Sequence, residues 1–185
     1  MAGEFTVQPI RDKKHIERIK KALHGRDRLL FILGINFGLR ISDLLTLKVK
    51  DLRGKRYLTI IESKTGKQRR IDFSDSVIRE VKTLEGSPED YVFASREGVN
   101  KPISRQQAWN IINAAVERAG LTEKIGKLGT HSLRKTFGYH AYNSGKGVDL
   151  SLLMEVFGHS SQKITLRYIG IQADDISKVY KSLSL

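Results

Sequence analysis

Apolar residues recur at helical spacing along much of this chain. Ile16, Ile19 and Leu23 share one face of a segment from Asp12 to Leu23, and Lys and Arg fill much of the rest. That pattern predicts an amphipathic helix. The stretch from Arg28 to Phe37 is apolar nearly all round and predicts a buried helix ending at Gly38. Ser42 is expected to cap a short helix from Asp43 to Leu47, with the Asp43 carboxylate near its positive end. The pattern then changes. Tyr57 to Ile61 and Arg69 to Phe73 read as strands, and Thr65-Gly66 between them is a turn signal, so a β-hairpin is expected. Tyr91 to Phe93 reads as a third short strand. Further helices are expected from Ser74 or Asp75 to about Leu84 and from Ser104 to Ala119, where Gly120 ends the helix. Others are expected from about Ser132 to Asn143, Leu150 to Phe157, Gln162 to Tyr168 and Asp174 to Ser182. The fold class is α+β and mainly α: a helical domain with a small antiparallel three-stranded sheet.

Composition narrows the class of partner. A chain of 185 residues, 39% hydrophobic, fits one domain with a real core. Three prolines and no low-complexity tract leave no sign of an interdomain linker. The 33 basic and 20 acidic side chains give a net charge of +13. So basic a domain calls for a polyanion, with nucleic acid first and an anionic membrane surface second; an inert basic surface is the bland alternative. There is no cysteine, which excludes disulfides and cysteine-based zinc sites and agrees with a cytoplasmic location. The apolar run from Leu29 to Leu39 is broken by Gly34 and Asn36 and is too short to span a bilayer. The first five residues lack the order of a signal peptide.

Four separated stretches carry candidate chemistry: Gly38-Leu39-Arg40-Ile41-Ser42-Asp43-Leu44-Leu45, Ser63-Lys64-Thr65-Gly66-Lys67, His131-Ser132-Leu133-Arg134, and Gly158-His159 followed by Tyr168 nine residues after the histidine. Two guanidiniums suit a phosphate, because each planar fork donates paired hydrogen bonds and keeps its charge. A tyrosine hydroxyl can act as a nucleophile. No carboxylate cluster is spaced for a metal, so no cofactor and no metal are expected. Taken singly, each residue has a structural reading: a surface arginine, a packed tyrosine, a hydrogen-bonded histidine. Tyr57, Tyr91, Tyr139, Tyr142 and Tyr180 are the rival tyrosines, and only Tyr168 follows both an arginine and the Gly-His pair. His15, His24 and His140 are expected to be structural. Lys67 competes with Lys64, and Asp43 is equally well read as a helix N-terminal charge.

In this order and spacing the motifs resemble the catalytic domain of the tyrosine recombinases, the phage integrase family, from about residue 10 to the C-terminus. The resemblance implies that Tyr168 attacks the scissile phosphate and forms a 3′-phosphotyrosyl link. It implies that Arg40 and Arg134 hold the nonbridging oxygens, with His159 bonding the phosphate. Lys64 would protonate the leaving 5′ oxygen, His131 would assist proton movement at the nucleophile, and Asp43 would brace the site from behind. Lys64 on a mobile hairpin would reach into the groove and swing away. Residues 1–10 are expected to be an extension and 11–185 the catalytic domain, without the N-terminal core-binding domain usual in the family.

The expected partner is double-stranded DNA, engaged by a homo-tetramer on paired sites, with a monomer possible in isolation and no membrane role. The C-terminal segment with Ile176, Val179, Tyr180 and Leu183 would link protomers or cover its own domain. Lys67, Arg69 and Arg70 beside the hairpin are candidate phosphate contacts. Arg105 and Gln106 open a helix that either approaches a groove or is simply a solvated end. Trp109 and Ile112 on that helix are expected in the core. The function expected is strand cleavage and joining in integration, excision or resolution. A DNA-binding module with little activity alone and type IB topoisomerase-like relaxation are the alternatives.

Overall fold

The structure, a computed structural model, describes residues 7–145 and 147–171. Helix α1 spans Lys13–Lys21 and is capped by the Asp12 carboxylate, which accepts from the Lys14 N–H at 2.7 Å. Helix α2, Gly25–Phe37, buries Leu29 through Gly34 and Phe37. It stops at Gly38, whose φ of 60° is a left-handed conformation that glycine adopts without a Cβ penalty.

Helix α3, Ile41–Leu45, begins two residues before the expected start, and its N-cap is Arg40, not Ser42. The reason lies in the backbone. Arg40 is extended and its carbonyl accepts from Asp43 and Leu44 at 3.0 and 2.9 Å, which puts Ser42 inside the first turn. A single turn, α4 (Val49–Leu52), follows and was not foreseen.

Strands β1 (Tyr57–Ile61) and β2 (Gln68–Asp72) pair antiparallel, from Tyr57 opposite Asp72 to Ile61 opposite Gln68. Among the described residues the sheet has two strands, not the three expected. Tyr91 to Phe93 makes only an isolated bridge from Tyr91 to Lys48. The neighbouring backbone turns into α4 at Val49, so no ladder can lengthen. Loop partners take the polar groups instead: Val92 donates to Leu47, Val49 to Asp90 and Ile103 to Phe93, at 2.8–2.9 Å. Val92 and Phe93 serve as core plugs.

Helix α5, Asp75–Val81, is capped by Ser74 and ends earlier than expected. Helix α6, Arg105–Arg118, opens with a reciprocal Ser104–Gln107 capping box. A second unforeseen turn, α7 (Thr122–Ile125), leads to α8, Thr130–Tyr142. Helix α9 is Leu150–Phe157, and α10, Gln162–Ile169, is capped by Ser161. The expected helix from Asp174 to Ser182 lies outside the described residues.

The largest apolar cluster joins α2, α3 and the hairpin to α5 and α6, with Phe37 stacked on Phe73 at 5.2 Å. A second joins α1, α2, α6 and α8, and includes Ile112. Trp109 stays half-buried at the surface, with the Lys127 ammonium 6.0 Å from its ring centroid. A third, smaller cluster holds Leu153, Phe157 and Ile169, with Phe137 and Tyr168 against it.

Gly138 is what lets α9 and α10 close onto α8. A Cβ there would stand 2.6 Å from Phe157 Cζ and 2.7 Å from Ile169 Cγ2. Overpacking of this kind costs about 1–3 kcal/mol, more than the roughly 1 kcal/mol that alanine gains over glycine in a helix. Gly138→Ala should therefore lower the thermal midpoint by several degrees in a calorimetric scan. A midpoint equal to or above the wild type would show that the contact is slack.

Candidate active site

Five of the six expected residues converge where α3, α8, α9 and α10 meet. Arg134 on α8 is only 3% exposed. Its Nη1 donates to the Gly38 carbonyl at 2.6 Å, and its Nη2 to the carbonyls of Phe157 and Val156 at 3.3 and 3.4 Å. These acceptors lie at the C-terminal ends of α2 and α9, where helix dipoles favour a cation. The guanidinium carbon also sits 5.0 Å from the Phe157 ring centroid. Burial draws the Arg134 pKa below the ordinary arginine value; the Tyr168 phenol opposes that shift and Arg40 adds to it. An arginine so held still carries its charge at neutral pH.

Arg40 reaches the same region from the N-cap of α3. Its Nη1 donates to Glu62 Oε2 at 2.7 Å. Glu62 was not foreseen. It directly follows β1, is 6% exposed, and also accepts from Arg69 Nη1 at 2.8 Å and the Thr65 hydroxyl at 3.1 Å. Burial pushes its carboxyl pKa up, and the hydrogen bonds from Arg40 and Arg69 more than reverse this, so the net direction is down. The only hint in the sequence was a carboxylate beside the Ser-Lys-Thr-Gly turn.

Asp43 is 3% exposed and is bonded to the start of the hairpin turn. Its Oδ1 accepts from the Ser63 N–H at 3.1 Å and the Ser63 hydroxyl at 2.5 Å, while Oδ2 is buried with no partner among the described residues. Lys64 follows at the exposed turn, and its ammonium has no partner among the described residues.

The nucleophile candidate is bedded in rings. The Tyr168 ring centroid lies 4.9 Å from that of His159 and 5.1 Å from that of Phe157. The ammonium of Lys135, a second residue not foreseen, is 5.2 Å from the same centroid and donates to the Val7 carbonyl at 2.8 Å. Burial raises the phenol pKa above 10.0, and Arg134 and then Arg40 pull it back without reversing the shift. Tyr168 is thus a neutral phenol at pH 7.

His159 Nδ1 lies 3.1 Å from Thr165 Oγ1, whose own proton goes to the Ser161 carbonyl at 3.2 Å. That order puts the imidazole proton on Nδ1. His131 stands at the solvent edge of α8, one turn before Arg134. Both histidines have pKa values below the ordinary 6.5, first through loss of water and then through nearby arginines, with Lys135 and Arg105 adding to the effect on His131.

The remaining candidates divide. Arg69 is turned inward to Glu62. Arg70 pairs with Asp72 at 2.9 Å and lies 3.9 Å over the Tyr57 ring, so it stays on the hairpin surface. Lys67 is exposed beside the turn. Arg105 begins α6 close enough to act on His131, and Gln106 bonds to Asn110 at 3.1 Å. His140 has the structural bond expected of it, to the Ile10 carbonyl at 2.9 Å.

Two guanidiniums acting on a half-buried phenol, with two imidazoles nearby, define a class: the chain belongs to the phage integrase family, whose model matches residues 11–174. It is similar to the probable integrase/recombinase YoeC of Bacillus subtilis, 45% identical over 180 residues that cover 95% of this chain and 96% of that one. It is 31% identical to the tyrosine recombinase XerA of Pyrococcus furiosus, covering 94% of this chain but 59% of that relative. Among solved structures, an XerA recombinase superposes with a TM-score of 0.75 at 18% identity, over 95% of this chain and 65% of that one. XerH in a post-cleavage complex with a difH substrate gives 0.68 at 20% identity, over 95% of this chain and 53% of that one. These structures share the fold. Among the described residues no helix is long and apolar enough to cross a membrane.

The two depressed histidines generate a pH expectation. A histidine held neutral in the fold contributes stability that is complete above its unfolded pKa of 6.5 and is lost as pH falls through the lower folded value. In a heteronuclear NMR titration of the free protein, His131 and His159 should both titrate below 6.5. A midpoint at or above that value for either would contradict the cationic surroundings described.

Proposed function

We propose that this chain is the catalytic domain of a site-specific DNA recombinase, acting on double-stranded DNA through residues 11–185. The observation that carries the proposal is the placement of Tyr168 against His159 and under the field of Arg134 and Arg40 within one chain. In this reading the scissile phosphate enters beside Tyr168. Arg134 and Arg40 turn guanidinium N–H groups toward its nonbridging oxygens, where charge grows in the pentavalent transition state. His131 accepts the phenol proton as the phosphorus–oxygen bond forms. The bond to the 5′ oxygen breaks, and Lys64 supplies the proton to that leaving group. His159, protonated once a phosphate lies beside it, donates from Nε2. The product is a 3′-phosphotyrosyl ester and a free 5′-hydroxyl. Attack by another strand's hydroxyl reverses the steps and needs no external energy, because the ester conserves the bond.

The net charge of +13 supports an electrostatic grip on the duplex, with Lys67, Arg70 and Arg105 as phosphate contacts and Gln106 beside them. Assembly as a homo-tetramer on paired sites is part of the same proposal, as is a cytoplasmic location.

The test is covalent trapping. The protein is incubated with EDTA and nicked suicide duplexes carrying randomised core sequences. The expected result is a denaturation-resistant protein–DNA adduct, absent with Tyr168→Phe. Lys64→Ala should slow its formation by about two orders of magnitude or more, the usual worth of a general acid. An adduct that survives Tyr168→Phe overturns the assignment of the nucleophile. Salt-sensitive binding with no adduct reduces the chain to a DNA-binding module.

A further inference from the structure

Lys64 is asked to do something its side chain is poorly built for. Lysine is a point charge on a flexible four-carbon stem, and this one has no partner among the described residues to hold it. A general acid must reach hydrogen-bond distance of the departing oxygen, and small misplacements are expensive in rate. The holding has to come from the turn beneath it.

One residue organises that turn. The Glu62 carbonyl accepts from Thr65 and Gly66 at 3.3 and 2.9 Å, and its N–H donates to the Lys67 carbonyl at 3.0 Å. Its carboxylate takes the Thr65 hydroxyl, Arg69 of β2 and Arg40 of α3. Glu62 therefore closes the turn upon itself and fastens it to the helix start that carries Arg40. Ser63, bound to Asp43, is the parallel tie. Lys64 lies between two pinned neighbours.

Electrostatics argues that this is no accident of packing. A carboxylate on Arg40 cancels charge just where a phosphate is to bind. A buried ion pair is also weak grounds for a gain in stability. Glu62 works against the binding role of Arg40, so its use lies in what else it holds.

Resting on the function proposed above, we infer that Glu62 is a positioning residue that locks the Lys64 turn onto Arg40, so that the leaving-group acid and the phosphate-binding guanidinium are set as one unit. The hairpin is then a fixed bracket for a single mobile side chain, not a swinging arm.

The experiment uses leaving-group chemistry. Single-turnover cleavage is measured on suicide duplexes with either the natural 5′ oxygen or a bridging 5′ sulfur, which departs as a thiolate and needs no acid. Wild type, Glu62→Gln, Lys64→Ala and the double variant are compared. The expected result is that Glu62→Gln slows the oxygen substrate about tenfold or more but stays within about threefold of wild type on sulfur. The double variant should be no slower than Lys64→Ala by more than about threefold, because coupled residues are not additive. Thr65→Val removes one bond to Glu62 at an exposed site and should show the same pattern more weakly; it carries the test if Glu62→Gln fails to fold. Equal slowing on both substrates, full additivity, or an unimpaired Glu62→Gln overturns the inference while leaving the function intact. No adduct from the wild type on either substrate overturns the function and the inference together.

Discussion

A guanidinium buried between helix ends holds this domain together. Arg134 takes up carbonyls from the last turns of α2 and α9 while standing on α8, so three helices meet at one charge. Those carbonyls are orphans that every α-helix leaves at its C-terminus. Left buried and unpaired they would destabilise the fold; paired with a cation they favour it doubly, by hydrogen bond and by dipole. Glycines with left-handed φ at positions 38 and 158 turn the chain away and leave those carbonyls facing inward. At Gly38 a Cβ would also meet the Phe137 ring at 2.5 Å, so both conformation and space call for glycine.

From that fixed charge the rest of the site takes its geometry. The αL turn at Gly38 leads through Leu39 to Arg40, and the one at Gly158 leads directly to His159. The ring of Phe157, beneath Arg134, supports both His159 and Tyr168. The same features that close the core thus aim the chemistry outward. The hairpin packs into the main apolar cluster through Leu58 and Phe73. Its turn is tied to the start of α3 by two carboxylates, Asp43 and Glu62. In the proposed function these contacts couple the two parts of the site: helices that order phosphate-binding groups, and a turn that presents an acid.

Much of this was legible in the sequence because it is local. Periodicity located the long helices, and Leu150 to Phe157 falls where expected. The motif residues come together because Gly-Leu-Arg, His-x-x-Arg and Gly-His each begin or end an element, where side chains project. Other features depended on tertiary pairing. Tyr91 to Phe93 has strand composition, yet whether it extends a sheet depends on what the chain does at Val49, some forty residues earlier. The start of α3 was misplaced because Ser42 has the side chain of a cap, while the backbone of Arg40 has the conformation of one. Glu62 and Arg69 look like ordinary surface charges beside a turn; only the fold brings them together with Arg40. Lys135 likewise reads as one lysine among many until α10 and the Val7 carbonyl close over it.

The central claim, that one buried cation sustains both the architecture and the site, is tested most directly by urea unfolding of Arg134→Ala beside Arg70→Ala. Arg70 is an exposed, surface-paired arginine, and its loss should change stability by no more than about 1 kcal/mol. Loss of Arg134 strands two buried carbonyls and a third that is half-buried, and the account predicts a fall of about 3 kcal/mol or more. Equal stability of the two variants would contradict it, leaving Arg134 a catalytic group on a fold that does not need it.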